Sequence, residues 1–125
     1  MAEPPDAKEF EGLQRSGRLR LTDAGNTQLS LESRVDLAYN AAHALCLAAL
    51  RRHGCRPRHR YIVFQVLPHT LGLGPEVWRV LAKCHEVRNL GEYEGGLDVD
   101  VRLVDDLITA CGIVAKKLQA ATLAL

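Results

Sequence analysis

Five arginines and two histidines lie within ten positions near the middle of this 125-residue sequence: Arg51, Arg52, His53, Arg56, Arg58, His59 and Arg60. Because the whole chain has 16 basic and 15 acidic residues, this basic cluster is a local feature. Clustered guanidinium groups are typical of proteins that contact nucleic-acid phosphates. The alternative is a solvated helix end whose positive charge complements the helix dipole. Tyr61 is the only aromatic residue beside the cluster, so stacking of single-stranded bases is weakly supported.

A second polar segment, Arg88-Asn-Leu-Gly-Glu-Tyr-Glu94, comes late in a predicted helix. Arg88 and Glu92 are four residues apart, which is the spacing at which helical side chains form a surface ion pair. Asn89 and Tyr93 have the same spacing, and they would tie the helix end to the next loop. By spacing alone, the segment is interpreted as a structural helix end.

The other histidines and cysteines form no clear site. Arg79 and His85 are six residues apart, which places their side chains about 120° apart on a helix. His85 would still approach Arg88, one turn further along. Cys55-x3-His59 is the one pair with a metal-ligand spacing, and a structural zinc site needs four ligands, so we predict neither metal nor cofactor. The four cysteines lack a CxxC pair and are interpreted as reduced, apolar core residues.

Length, composition and the helical segments along the chain together predict one all-α domain over residues 1–125, folded as a four- to five-helix up-and-down bundle. Aromatic residues are 5% of the chain, so its apolar 47% is mostly aliphatic and suits packed helices. No apolar run is long enough to cross a membrane and no signal-peptide core is present, which predicts a cytoplasmic protein. The predicted elements are a loose leader (1–6), a loop (22–26), and helices over about 7–20, 30–53, 58–70, from Pro75 to before Gly95, and from Asp98 or Asp100 to about Leu123.

The second helix has the strongest signals. Ser30 is a good N-cap residue, and Gly54 follows a basic last turn, as is common at helix C-termini. Its apolar face is mostly alanine, so a neighbouring helix can approach closely. On this helix His43 is interpreted as an interior or interface histidine rather than a ligand.

Two segments together resemble the HEPN superfamily of helical proteins. They are Ser33-Arg-Val-Asp-Leu-Ala-Tyr-Asn-Ala-Ala-His43 and the Arg88–Glu94 segment, and with the helix order the resemblance covers about residues 7–123. It implies a helical bundle that forms homodimers. Some members are metal-independent ribonucleases of toxin–antitoxin and defence systems, and others are non-catalytic partners encoded beside a minimal nucleotidyltransferase. Active members carry an arginine and, after four to six residues, a histidine, and two such motifs face each other across a groove.

In this sequence Arg88 and Asn89 match that motif, but Tyr93 stands where the histidine is expected. Histidine exchanges protons near neutral pH, whereas the pKa of tyrosine is about 10, so tyrosine is a poor base. The resemblance implies that Arg88 would bind phosphate through its planar guanidinium group. Tyr93 would donate a proton or only a hydrogen bond, and Glu92 is the one candidate proton acceptor.

We therefore expect a homodimeric module that contacts RNA or a protein partner in a toxin–antitoxin or defence system. Its contacts would involve Arg88, Asn89 and Tyr93, and the basic cluster is a second candidate surface. A minimal nucleotidyltransferase or an antitoxin is the expected protein partner. One alternative is a metal-independent endoribonuclease toxin that uses Arg88 with Tyr93 or Glu92. The other is a purely structural dimerisation domain.

Overall fold

The computed structural model describes residues 4–59, 61–94 and 100–123, with side chains described for 4–59, 61–87 and 100–121. The described residues form six helices: α1 (Ala7–Ala24), α2 (Leu31–Arg52), α3 (Ile62–Gln65), α4 (Leu67–Thr70), α5 (Pro75–Glu94) and α6 (Val101–Leu123). The all-α bundle is confirmed. Helix α2 contacts each of the other five helices, and α1–α2, α2–α6 and α5–α6 are the main packed pairs.

Helix α2 begins and ends where its capping signals predict. The Ser30 hydroxyl accepts a hydrogen bond from the Ser33 amide at 3.1 Å. At the other end Gly54 has a φ of +77°, a left-handed conformation that glycine adopts without steric cost. The helix supplies the centre of the core, including the fully buried Val35, Ala38, Leu45 and Cys46.

Helix α1 runs four residues further than predicted, so the predicted loop at 22–26 is wrong for Thr22 to Ala24. A contact with α2 stabilises this extension, because the buried Arg34 guanidinium donates from Nε to the Ala24 carbonyl at 2.8 Å. The donor satisfies a carbonyl at the helix end that would otherwise be orphaned. At the start of α1, Asp6 caps the helix by accepting from the Lys8 amide at 2.9 Å.

Close packing of α1 on α2 explains why a glycine, Gly17, lies in the interior of α1. A Cβ atom at Gly17 would lie 2.6 Å from Leu45 Cγ and 3.2 Å from the Ala41 carbonyl oxygen. Gly12, on the same helix, has nothing within 4 Å of its corresponding position. Gly17 therefore costs helix propensity but lets the two helices approach closely, whereas Gly12 only costs propensity.

The predicted single helix over 58–70 is wrong, because the chain forms two four-residue helices, α3 and α4, that meet at Val66. Pro68 lies in the first turn of α4. A continuous helix would need an amide at this position to bond the Phe64 carbonyl, and proline has none. The break lets the buried side chains of Phe64 and Leu67 both close over the core.

The bounds of α5 and α6 agree with the predictions. Helix α5 begins at Pro75, and Asp100 caps α6 by accepting from the Leu103 amide at 2.8 Å. Helix α6 places Val104, Leu107, Cys111, Val114 and Leu118 in the core. Within the described residues, no helix is both long and apolar enough to cross a membrane.

Candidate functional site

The motif predicted from the resemblance lies at the C-terminal end of α5. Arg88, Asn89, Glu92 and Tyr93 belong to its last two turns, and their side chains lie outside the described residues. The described side chains that could contribute to a site lie on the neighbouring part of α5, on the helices that pack against it, and in the basic cluster. Those side chains form two groups that differ in burial and chemistry.

The first group, the Glu9 clamp, consists of Glu9, Arg51 and Arg56. Arg51 is only 2% exposed, and its Nε lies 2.5 Å from one oxygen of Glu9. Its two terminal nitrogens donate to the backbone carbonyls of Cys55 at 3.2 Å and Pro4 at 2.7 Å. Arg56 reaches the other oxygen of Glu9 at 2.8 Å. The clamp thus ties the start of α1 to the end of α2, and it holds Pro4, which belongs to the predicted loose leader (1–6).

Hydrogen bonds from Arg51 and Arg56 hold the pKa of the Glu9 carboxyl below its ordinary value. A lowered folded-state pKa means that the clamp stabilises the fold above the unfolded pKa. That contribution is lost as the pH falls through the folded value.

The remaining arginines of the basic cluster differ among themselves. Arg52 donates to the Ala121 carbonyl at 2.9 Å, which satisfies a backbone acceptor near the end of α6. Arg58 and His59 are exposed, and Arg60 lies outside the described residues. The structure therefore divides the cluster: Arg51, Arg52 and Arg56 make contacts within the fold, whereas Arg58 and His59 face solvent.

The second group, the ring cluster, consists of Tyr39 on α2, Tyr61 and Phe64 at α3, and His85 on α5. The ring centroids of Tyr61 and His85 are 4.9 Å apart, and those of Tyr39 and His85 are 5.9 Å apart. Phe64 lies edge-on beneath them, 5.9 Å from Tyr39 and 6.4 Å from His85. Phe64 and Tyr39 are fully buried, whereas Tyr61 and His85 are half-buried.

A side-chain hydrogen bond fixes the histidine in this cluster. The Tyr39 hydroxyl lies 2.8 Å from His85 Nδ1, so the imidazole ring is held in one orientation. His85 is three residues before Arg88 on α5, and residues three apart share a face of a helix. The imidazole therefore lies one turn from the arginine of the predicted motif.

The rings of Tyr39, Tyr61 and His85 lie in three separate segments of the chain. Tyr39 lies in the α2 segment that resembles the HEPN superfamily, Tyr61 follows the basic cluster, and His85 is six residues after Arg79. No spacing rule connects Tyr39, Tyr61 and His85, which are 22 to 46 residues apart in the chain, so only packing reveals the cluster. His43, predicted to be an interior or interface histidine, packs its half-buried ring 6.4 Å from Phe64.

Three of the cysteines are core residues, as predicted. Cys46, Cys84 and Cys111 are fully buried, and Cys111 donates to the Ala38 carbonyl at 3.3 Å. Burial raises the pKa of the Cys46 and Cys111 thiols well above the ordinary range, so both stay protonated at neutral pH. Among the side chains that the structure describes, no three His, Cys, Asp or Glu residues converge on a potential metal position.

Comparison of the chain with protein-family models, curated proteins and solved structures gives no match. The resemblance to the HEPN superfamily therefore stays a prediction based on the residues of α2 and α5.

Proposed function

We propose that this chain is a HEPN-like RNA-binding module that acts as a homodimer in a toxin–antitoxin or defence system. Its RNA contacts would run from Arg58 and His59, past the ring cluster, to Arg88 near the end of α5. Asn89 and Tyr93 would extend this surface along the last turn of the helix.

The observation that carries the proposal is the contact between Tyr61 and His85, whose ring centroids are 4.9 Å apart. Tyr61 directly follows the exposed end of the basic cluster, and His85 precedes Arg88 by three residues. The contact therefore brings two candidate RNA-contacting segments, far apart in sequence, to neighbouring positions. A surface in which aromatic rings lie between two segments that carry arginine suits a phosphate backbone and its bases.

The charge on this surface supports the same function. Arg51 and Arg56 share the carboxylate of Glu9, so both guanidinium groups are held within the fold and one of their two positive charges is offset. Arg58 and His59 face solvent, where a phosphate can reach them. Binding through such groups releases counterions, so it should weaken steeply as the salt concentration rises.

Fluorescence anisotropy with labelled single-stranded RNA in EDTA tests the proposal. We expect binding that falls with salt, and weaker binding with a shallower salt dependence for both Arg58→Ala and Arg88→Ala. Arg102→Ala, an exposed arginine on α6, is the matched control and should bind like the wild type. Absence of RNA binding, or equal losses in all three variants, would contradict the proposal. A monomer in light scattering at micromolar concentration would contradict the homodimer.

A metal-independent ribonuclease is the second candidate, and a specific contact favours it. Cleavage through the 2′-hydroxyl needs a proton acceptor, which Tyr93 is poorly suited to be. His85 is an imidazole one turn from Arg88, held through Nδ1 by the Tyr39 hydroxyl. Glu92 remains the alternative acceptor. Cleavage of RNA in EDTA that disappears in Arg88→Ala would support an enzyme, and intact RNA after incubation with the wild type would contradict it.

Non-catalytic members of the HEPN superfamily suggest that a protein partner binds the same dimer. This partner would be a minimal nucleotidyltransferase or an antitoxin. Co-purification with the product of a neighbouring gene would support that arrangement. A dimer that binds neither RNA nor such a partner would instead be the structural dimerisation domain.

A further inference from the structure

We propose that the exposed face of α6 binds the same face of a second copy of this chain, with the two helices antiparallel about a two-fold axis near Cys111. This inference rests on the homodimer of the proposed function and adds its interface. It does not depend on RNA binding.

The exposed charges of α6 are separated along the helix. Asp105 and Asp106 lie in its second turn, Lys116 and Lys117 lie three turns later, and all four side chains are exposed. The helix dipole does not account for this order, because dipole effects are confined to the first and last turns. The first turn of α6 has no acidic residue and its last turn has no basic one. Among the described side chains, no ion pair includes any of the four, so these charges face solvent in a single chain.

The charges form two edges of one helix face. Eleven residues make about three turns of an α-helix, so Asp105 and Lys116 lie on the same edge. Asp106 and Lys117 are also eleven residues apart, and they lie on the other edge, about 100° around the helix. Each edge thus carries an acid in the first half of the helix and a base in the second half.

Small and apolar residues lie between the two edges. Thr109 is exposed, and Ile113 keeps 41% of its surface in contact with water. Gly112, beside them, has nothing within 4 Å of the position that a Cβ atom would take. A partner helix can therefore approach the middle of this face closely, and burial of Ile113 there is favourable.

An antiparallel two-fold pair gives every one of these charges an opposite partner. Asp105 lies six residues before Cys111 and Lys116 lies five residues after it, so the rotation brings Asp105 level with the partner's Lys116. Asp106 and the partner's Lys117 meet in the same way on the other edge. A parallel pair would instead place acid against acid and base against base, which is repulsive. The charges therefore select both the antiparallel orientation and the register.

This pairing determines where the Arg88–Glu94 segments lie in the dimer. Val80 and Lys83 of α5 line one cavity with Asp100 and Leu103, so α5 passes the first turn of α6. In the antiparallel pair the two first turns are about 30 Å apart along the helices, and we expect the two Arg88–Glu94 segments to lie towards opposite ends of the dimer. In active HEPN proteins the two motifs face each other, so the α6 dimer suits a binding module rather than the ribonuclease.

Zero-length crosslinking tests the contact in the wild-type protein. A carbodiimide joins a carboxylate to an amine only where the two groups touch. Within one chain, Asp105 and Lys116 are about 16.5 Å apart along α6, so a crosslink between them must join two molecules. In an equal mixture of unlabelled and ¹⁵N-labelled protein, we expect mass spectrometry to find crosslinked peptides that pair residues 105–106 with 116–117 and carry one label of each kind.

Charge reversal tests the orientation. Asp105→Lys, Asp106→Lys makes the face wholly basic, and Lys116→Glu, Lys117→Glu makes it wholly acidic. Each double variant alone should have its dimer Kd raised by about tenfold or more, whereas an equal mixture of the two should form a heterodimer. The variant with all four changes has opposite charges on each edge again and should dimerise like the wild type. Sedimentation velocity measures the dimer, and circular dichroism establishes that each variant is folded.

Glu11→Lys, Asp23→Lys is the matched control. It changes the net charge as much as the basic double variant does, at exposed positions of α1, and it should dimerise like the wild type.

The results that would overturn the inference are distinguishable from failure of the proposed function. If the wild type is a dimer but all variants dimerise equally, or the mixture does not recover, the α6 interface is wrong and the RNA-binding homodimer stands. A monomeric wild type would remove the interface and the homodimer together, and RNA binding is measured separately.

Discussion

The Glu9 clamp and the ring cluster both join α2 to another part of the chain, but they use their polar groups differently. In the clamp, Arg51 is 2% exposed and all three of its guanidinium nitrogens donate to protein acceptors. In the ring cluster, Tyr61 and His85 keep part of their surface in solvent while the rings beneath them are buried. The charged groups of the clamp hold helices together. The ring cluster instead presents two aromatic rings that are partly accessible to solvent.

This difference shows why neighbouring arginines cannot be given one role. Arg51 and Arg58 belong to the same basic cluster, seven residues apart. One is buried against Glu9 and the other faces solvent, so only the second is available to a phosphate. Burial and partner, rather than residue type, separate a structural arginine from a candidate binding residue.

Removing the buried arginine should break the clamp and leave the ring cluster intact. We expect Arg51→Met to lower the free energy of unfolding by about 3 kcal/mol, because a buried guanidinium group that pairs with the partly exposed Glu9 and bonds two backbone carbonyls is lost. Urea denaturation measures the change. Arg58→Ala is the matched control and should stay within about 0.5 kcal/mol of the wild type. If Arg51→Met is as stable as Arg58→Ala, the clamp does not stabilise the fold.

The buried thiols of the core should make the protein less stable at alkaline pH. The pKa values of Cys46 and Cys111 are raised by folding, so above the unfolded pKa of about 8.5 the unfolded chain releases protons that the folded chain keeps. Below that pH each thiol makes its full contribution to the free energy of unfolding. This contribution is lost above that pH by about 1.4 kcal/mol per pH unit, or about 2–3 kcal/mol for both by pH 9.5.

Denaturation between pH 7 and pH 9.5 measures this loss. The Cys46→Ala, Cys111→Ala double variant is destabilised by the cavities it creates, and this loss does not depend on pH. Because the thiols are gone, its free energy of unfolding should fall less steeply with rising pH than that of the wild type. Equal slopes for the two proteins would show that the thiols do not carry the effect.

Two glycines of α1, the helix that carries Glu9, test how closely α1 packs on α2. Gly17→Ala should destabilise by about 1–2 kcal/mol, because its Cβ would lie 2.6 Å from Leu45 Cγ, and this overpacking outweighs the gain in helix propensity. Gly12→Ala should stabilise by up to about 1 kcal/mol, since the space around it is open. Thermal unfolding of both variants gives the comparison. If the unfolding temperatures of both variants change in the same direction, the helix contact at Gly17 can adjust to the added methyl group.

The smallest expected effect is in the ring cluster. Tyr39→Phe removes the hydroxyl next to His85 Nδ1 and should cost about 1 kcal/mol. The nitrogen chemical shifts of the His85 ring should change, because the bond that orients the ring is gone. Tyr61→Phe is the control and should leave those shifts near their wild-type values. Unchanged shifts in Tyr39→Phe would show that the hydroxyl does not fix the imidazole.

Local signals predicted the long helices well. Ser30 and Gly54 bracket α2, Pro75 begins α5 and Asp100 caps α6, because capping depends on groups a few residues apart. The predicted helix bounds are wrong where contacts with residues distant in the sequence determine the local structure. Arg34 extends α1 by bonding the Ala24 carbonyl, and burial of Phe64 and Leu67 accompanies the break between α3 and α4.

The sequence by itself determined the all-α class, the long helices and the two segments of interest, the basic cluster and the Arg88–Glu94 segment. Helix periodicity, caps and charge are properties of neighbouring residues, so they can be identified without a fold. Tertiary structure alone decided that Arg51 is buried against Glu9, that Gly17 permits a close helix crossing, and that Tyr39, Tyr61 and His85 meet. Those outcomes depend on which faces of separate helices pack together, and that is set by the shape of the whole core.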